Sequence, residues 1–571
     1  MVAGSRVLRR LVMHFTHVEN LPGILTAGCL QSDSLVDRSS ALRVEAGDLA
    51  VKARRKERHV PLAPFGRVAD YVPFYFAPRS PMLLTLARGN VSTYSGGQDP
   101  LVYRVSPPEA VAAAGQLYLF SDGNCASPLT QFFGDLAFLG SVVDWELMTA
   151  RMWANTLDDQ DRMRRRMAEF LVHQCVPVGC VSLIVVRAPV VVFRECLTSR
   201  VCRSRGRRET SHMISEETGN LLDASADALV NTVNTVGIMG KGLALQFKQA
   251  YPANFRAYQV ACRHGEVRLG RMFVYEPGVP GQPRYLVNFP TKGHWRDRSS
   301  LGDVRDGLAD LRRVILDRAI TSIAVPPLGC GNGGLDWRDV RPLIAETLGD
   351  LPGVRVLVYP LQDTPTPDAM PVGTRRPRMT TGRAALLALL GEYAVLSWLE
   401  GATVIRGGAS LLEIQKLMYF LQEAGQSLQL SYAKGRYGPY ADNLNHVLQA
   451  LEGHYLRGYG DRTQRILDLS PIMLIDGADG EARQWLKTSA EDATARRIAD
   501  IVKLVTDFAS PYGVELLATV HWTATRETPG ADPGVLTAAV RAWSPRKERL
   551  FTEHHVSVAA DRLRALSWLD A

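Results

Sequence analysis

The chain has 571 residues, a formal net charge of +8, and 46% hydrophobic against 22% charged residues. That balance excludes a chain disordered throughout, a collagen-like repeat and a coiled-coil rod. At about 100–200 residues per domain, three or four folded units are expected. The most apolar stretch, Val181 to Phe193, is interrupted by Arg187 and Pro189 and falls short of the ~18–20 apolar residues of a membrane-spanning helix. The sequence reaches His14 without a long apolar run, so neither a secretory leader nor a membrane partner is expected. The eight cysteines are scattered without a CxxC pair, which argues against a disulfide framework or a zinc ribbon. No metal is expected, and a reducing cytoplasm is the expected compartment. Most of the positive excess falls in residues 1–205. A polyanion partner for the first third would explain it, and so would a solvated basic face.

Two stretches lack apolar periodicity and read as linkers: Thr198 to His212, rich in arginine, and Gln362 to Arg383, rich in Pro, Thr and Arg. They divide the chain into blocks at residues 1–205, 213–361 and 382–571. The first block mixes strand-like runs (Leu101–Val105, Phe170–Val172) with helices and long loops, an α+β pattern. In the middle block Ala228–Val233, Tyr285–Phe289, Ser322–Val325 and Val354–Tyr359 alternate with helical stretches such as Leu301–Ile315. That order predicts an α/β fold with a mostly parallel sheet. The third block is mainly α: Leu411, Ile414, Leu417, Met418 and Leu421 follow the spacing of one buried helix face.

Two clusters stand out in the first block. His14-Phe15-Thr16-His17 is followed by Asn20, Pro22 and Gly23, and Asp70 to Leu83 is dense in aromatics and proline. Aromatic rings beside a polar His-x-Thr can sandwich a flat heterocycle and hydrogen-bond its amide; the same rings would also suit a core patch. The basic runs Lys52 to His59 and Arg162 to Arg166 suit phosphate contacts or a solvated helix face. Glu169 opens an otherwise apolar strand, where a carboxylate either caps an edge or sits in a cleft as a base.

Together His14–Leu25, Ala53–Pro61, Asp70–Leu83, Tyr94–Pro100 and Arg165–Val172 resemble the DarT family, toxins that ADP-ribosylate thymidine in DNA. The resemblance covers Met13 to about Val178. It implies NAD held by His14 and Thr16 with Tyr71 and Phe74 near it, Glu169 as the catalytic glutamate and Arg55 as the catalytic arginine. The residue types suit that chemistry. A carboxylate stabilises the oxocarbenium-like C1″ left by departing nicotinamide. A base accepts the thymine N3 proton, and a planar fork orients it or binds a phosphate. Single-stranded DNA fits the basic and aromatic supply. After Val178 the sequence departs from the family pattern, and a tail altered by the joining of two reading frames is expected there.

In the middle block Ala228 to Asn234 leads into Gly237-Ile238-Met239-Gly240-Lys241-Gly242, and Pro326 to Gly334 forms a second glycine loop after another strand. Backbone amides in such loops approach a pyrophosphate closely. The pattern resembles a macrodomain from Ile214 to about Leu361, and more closely the DarG antitoxin, whose macrodomain removes ADP-ribose from DNA. The resemblance implies ADP-ribose bound by Asn231, Asn234, Gly240, Gly242, Gly329, Gly331 and Gly333, with Lys292 catalytic. A surface-loop lysine is more often a solubility residue; a partly desolvated one suits attack or proton transfer. In a related terminal ADP-ribose glycohydrolase the lysine works with an aspartate. Gly333 stands at that position here and Asp336 lies three residues on, so no second catalytic group is assigned.

The third block carries no metal spacing, nucleophile elbow or phosphate loop. Gln415 to Leu421 and Lys434 to Tyr440 resemble the C-terminal region of DarG and the toxin-neutralising Panacea domains. The combined expectation is a multidomain toxin–antitoxin fusion of α+β transferase, α/β macrodomain and mainly α inhibitory domain. NAD would be the transferase substrate, ADP-ribose the macrodomain ligand, and thymidine-containing single-stranded DNA the partner. Two other readings use the same residues: an ADP-ribosylation cycle on RNA, protein or phosphate, and a degenerate transferase kept as an ADP-ribose-binding interaction protein.

Overall fold

The computed structural model describes residues 10–39, 43–89, 91, 94–156, 158–186, 214–360, 371–400, 408–460 and 471–570. The linker Thr198–His212, Cys196, Cys202 and residues 362–370 of the second linker therefore lie outside the described residues. The chain divides into two compact units, one from residues 1–196, 379–445 and 466–571, the other from 197–378 and 446–465.

In the first unit seven strands form an antiparallel sheet: β1 (Val12–His17), β2 (Tyr71–Tyr75), β3 (Leu101–Ser106), β4 (Tyr118–Ser121), β5 (Phe132–Phe133), β6 (Glu169–His173) and β7 (Leu183–Val186). Their order is β5-β4-β6-β2-β1-β3-β7. β6 is buried on both faces, and the two-residue period of a strand separates its side chains. Phe170 and Val172 enter one core with Val12, Phe74 and Phe120, whereas Leu171 joins Tyr71, Leu119 and Cys125 in another. Strand β7 pairs with β3 from Leu183 to Val186, so the chain beyond Val178 continues into this sheet. Helix α1 (Leu49–Glu57) starts at Asp48, whose carboxylate accepts the Ala50 and Val51 N–H groups at 2.9 and 3.2 Å. That cap satisfies donors the first turn leaves free.

The described residues of the same unit within 379–445 and 466–571 are largely helical. Helix α2 (Thr381–Leu399) is long and apolar enough to cross a membrane, which the sequence reading did not anticipate. It is a core helix: 61% of its apolar window is buried, with Leu386, Leu387, Leu389, Leu390 and Tyr393 inside. Helix α3 (Leu411–Glu423) begins with a reciprocal cap in which Ser410 and Glu413 bond each other's backbone N–H groups. His521 and His555 hydrogen-bond Tyr419 and Tyr512 at 2.8 and 2.6 Å. Within helix α4 (Pro511–Trp522) the fully buried Glu515 meets Arg546 at 2.8 Å and Lys547.

The second unit holds a six-stranded sheet. Its strands β8 (Ile214–Glu216), β9 (Ala228–Asn234), β10 (Phe273–Tyr275), β11 (Tyr285–Lys292), β12 (Ser322–Val325) and β13 (Arg355–Val358) lie in the order β8-β13-β12-β9-β11-β10. All neighbours are parallel except β10 with β11, as expected for strands joined by helical crossovers. Helix α5 (Leu301–Asp317) buries Val304, Leu308, Leu311 and Ile315 against it. A Cβ at Gly307 would stand 2.3 Å from the Phe289 ring, so only glycine allows this helix its approach to β11.

Glu515→Gln should destabilise the first unit by about 3–5 kcal/mol, because it leaves Arg546 and Lys547 buried without their carboxylate. Chemical denaturation followed by tryptophan fluorescence reads this directly; an unchanged midpoint would show that the ion cluster contributes nothing.

Candidate functional site

The first unit has a cavity lined by His14, Thr16, Asn20, Lys52, Arg55 and Tyr75 among others. Strand β1 supplies His14 and Thr16, and their backbone register against β3 holds them in place. A ring nitrogen of His14 lies 2.8 Å from the Pro73 carbonyl, and burial lowers its pKa to about 4, so the ring is neutral at physiological pH. The Asn20 amide donates to Thr16 Oγ1 at 3.1 Å and to the Val44 carbonyl at 2.9 Å, while its oxygen accepts the Arg43 and Val44 N–H groups. One buried amide therefore staples the loop at residues 43–47 over the cavity.

At the inner end Arg55 donates a two-pronged pair of hydrogen bonds to Glu169, at 3.0 and 2.9 Å. Glu169 is 0% exposed and Arg55 9%. Burial disfavours the guanidinium's charge, but Glu169 overcomes this and raises the Arg55 pKa. The Cys125 N–H also donates to Glu169 Oε1 at 3.3 Å, and the Glu169 N–H donates to Ser121 Oγ at 3.0 Å. The carboxylate is thus fixed in orientation on the first residue of β6, beside Tyr75, its register partner on β2.

The structure brings His14, Thr16 and Arg55 to one cavity, with Glu169 reached through Arg55. Tyr71 and Phe74 are not among its lining residues. Tyr71 donates to the Phe65 carbonyl at 2.7 Å inside a separate core cluster, and Phe74 lies under the His14 ring at a centroid distance of 5.6 Å. The aromatics that do line it are Phe15 and Tyr75, stacked at 6.2 Å. Strand alternation held that signal: on β2, residues 73 and 75 share the face opposite 74.

In the second unit the carboxyl ends of β9, β11 and β12 converge, the usual place for ligand sites on parallel sheets. Asn234 stands opposite Lys292 in register. Its side chain donates to the Ile238 carbonyl at 2.5 Å and accepts the Val236 and Ile238 N–H groups, shaping the loop that leads to Gly240. Gly242, at φ +62°, then opens helix α6 (Gly242–Ala250). Asn231 donates to Asn288 Oδ1 at 3.0 Å, while its own Oδ1 is buried without a protein partner. Such an atom is where an unmet polar ligand or water would bond.

Lys292 Nζ donates to the Asn332 carbonyl at 3.1 Å, which joins the lysine to the second glycine loop. Burial lowers its pKa and Asp297 opposes the shift. Gly329 takes φ +70°, and Gly331 has open space around its Cβ position. Gly333 is different: a Cβ there would lie 2.3 Å from both the Gly329 carbonyl oxygen and Ser299 Oγ. The chain therefore has no room for an aspartate at that position. Asp336 does not substitute, because its carboxylate caps a helix at Trp337–Leu348 and pairs with Arg338.

The DarT model, described as ssDNA thymidine ADP-ribosyltransferase, matches residues 13–196, and the Macro domain model matches residues 230–344. The first match extends past Val178, so the expected departure from the family pattern at that point is corrected; sheet pairing of β7 agrees. The chain is 45% identical over 359 residues to the DNA ADP-ribosyl glycohydrolase of Mycobacterium tuberculosis, covering 62% of this chain and 99% of the relative. It is 42% identical over 179 residues to that organism's DNA ADP-ribosyl transferase, covering 30% and 75%. It is also 28% identical to the DNA ADP-ribosyl transferase-DNA ADP-ribosyl glycohydrolase fusion protein of Thermosipho africanus, covering 60% and 92%. The chain thus joins a member of the DarT transferase family to a member of the DNA ADP-ribosyl glycohydrolase family in one polypeptide.

Proposed function

We propose that residues 1–205 transfer ADP-ribose from NAD to thymidine in single-stranded DNA, that residues 213–361 hydrolyse the adduct, and that residues 382–571 hold the transferase inactive. The observation that carries the transferase reading is the buried Glu169 carboxylate, fixed by Arg55 at the end of a cavity lined by His14 and Thr16. NAD in that cavity would set the neutral His14 and the Thr16 hydroxyl against its nicotinamide end. Glu169 would stabilise positive charge at C1″ and accept the thymine N3 proton. NAD and DNA as substrates would suit a cytoplasmic setting. In the second unit the glycine loops would hold the pyrophosphate, and Lys292 would act at C1″ without an aspartate partner.

The inhibitory reading rests on where Glu400 and Asp507 meet the transferase residues. Arg54, next to Arg55, pairs with Asp507 and, at 3.3 Å, with Glu400. Asn124, next to the Cys125 that bonds Glu169, donates to the Glu400 carbonyl at 3.2 Å. Glu400 in turn accepts the Asp507 and Ala509 N–H groups, both at 2.7 Å. The residue next to Arg55 and the residue next to Cys125 are therefore both held by this region. A covalently tethered blocker acts at an effective concentration on the order of mM.

Mass spectrometry of a thymidine-containing single-stranded oligonucleotide incubated with NAD tests the cycle. In a Lys292→Ala background, Glu400→Ala with Asp507→Ala should raise adduct yield at least about 10-fold, and adding Glu169→Ala should lower it ~10²–10⁴-fold. Adduct on RNA or protein in place of thymidine would replace the substrate class. Glu400 also carries a pH sign. Burial raises its pKa from an ordinary 4.5 to about 7, against the pull of Arg54. Folding therefore takes up a proton between those values, so the contribution of Glu400 to stability falls as pH rises from about 4.5 to about 7 and levels off above. The denaturation midpoint relative to Glu400→Gln should fall across that window; a constant difference would show that Glu400 does not titrate there. Finally, Gly333→Asp should cost about 1–3 kcal/mol or more in the second unit, from the overpacked loop, and weaken ADP-ribose binding in calorimetry.

A further inference from the structure

The five residues after Gly293 form a short loop, His294 to Arg298, that the reaction as described does not use. Trp295 in this loop is 43% exposed. Its ring meets His294 at a centroid distance of 5.3 Å, and the Arg296 guanidinium carbon lies 4.5 Å from its centroid. An exposed tryptophan on a free loop would fold against the surface, but this loop is fastened at both ends. The Thr235 N–H and hydroxyl both donate to the Gly293 carbonyl at 3.0 Å, tying it to the end of β9. The Ser299 N–H donates to the Gly333 carbonyl at 3.0 Å, tying it to the second glycine loop. Inside the loop Asp297 Oδ2 accepts the His294 N–H at 2.8 Å, so its one carboxylate is engaged locally. Arg296 and Arg298 are exposed. The result is a rigid aromatic and cationic rim three residues from Lys292.

Resting on the glycohydrolase reading, we propose that Trp295 stacks on the nucleobase beside the ADP-ribosylated thymidine while Arg296 and Arg298 take the flanking phosphodiesters. The argument is spatial and chemical. With ADP-ribose in the glycine loops and its C1″ at Lys292, the thymidine and its strand must leave the pocket past the residues bordering that lysine. A single strand offers there an unstacked π-face and a chain of negative charges, and Trp295, Arg296 and Arg298 match both. The loop thereby makes the hydrolase selective for adducts carried on DNA over the same adduct on a free nucleoside.

The test uses the full chain without NAD and two substrates, an ADP-ribosylated single-stranded oligonucleotide and ADP-ribosyl-thymidine. Trp295→Ala should lower kcat/KM on the oligonucleotide, relative to the nucleoside, by about 5- to 150-fold, mostly through KM. Trp295→Phe should recover most of the loss. Arg296→Ala and Arg298→Ala should each reduce the slope of log KM against log salt by about 0.7. Calorimetry with ADP-ribose checks that each variant is folded. Equal losses on both substrates would place Trp295 in the ADP-ribose pocket and overturn the proposal, as would no loss on either. A wild-type chain that hydrolyses neither substrate, and so matches Lys292→Ala, would overturn the glycohydrolase reading beneath it.

Discussion

A carboxylate removed from water needs a partner, and in the transferase the two hydrogen bonds from Arg55 to Glu169 meet that need. Much of the surrounding architecture follows from this pair. Helix Leu49–Glu57 is capped at Asp48 and buries Arg55, which reaches Glu169. Strand Glu169–His173 must sit in the middle of the sheet so that its first residue is dry. The loop around Cys125 must close over the carboxylate to supply a further N–H. The helix and the loop each carry a neighbour that makes a further contact, Arg54 and Asn124. Those are the groups that Glu400 and Asp507 hold. The supports of the buried pair and the contacts with Glu400 and Asp507 are thus built from adjacent residues.

The second unit solves a different problem, with backbone in place of buried charge. Its glycine loops bring amides to one edge of a parallel sheet, and close packing limits what else can stand there. The missing aspartate illustrates this. Gly333 is enclosed by Gly329 and Ser299, so any side chain would push the loop away from Lys292. The lysine is left with a carbonyl neighbour at Asn332 and a distant Asp297, a setting in which burial favours the neutral amine. Opposed activities in one polypeptide are coherent on physical grounds. On the proposed reading, contacts within the first unit would restrain the transfer and the second unit would reverse what escapes.

Much of this was legible from residue order. The Ala228–Asn234 and Tyr285–Lys292 strands, the glycine loops after them and the helical face from Leu411 follow from local periodicity, which a strand or helix imposes wherever it lies. His14, Thr16, Arg55 and Glu169 were identifiable as a set through family resemblance, although 114 positions separate the last two. Tyr71 and Phe74 show the limit of such reading. Both stand in the aromatic block, but which ring faces a cavity depends on the strand's neighbours. Those place Tyr75 and Phe15 at the cavity and put Phe74 in the core. The same holds for Thr381–Leu399, whose composition suits a bilayer and whose partners make it a core helix.

The sequence alone determined the chemistry available: two glycine loops at strand ends, a lysine at the end of β11, a glutamate opening an apolar strand and an arginine-rich helix. Local propensity and residue type are properties of the chain itself. Tertiary structure decided which groups meet. Arg55 finds Glu169, Asn20 closes a loop over the cavity, Glu400 and Asp507 reach Arg54, and Trp295 is held outward by bonds to Thr235 and Gly333 through its flanking residues. These are contacts between residues far apart in the chain, and their energies depend on burial and distance, quantities that exist only once the chain has folded.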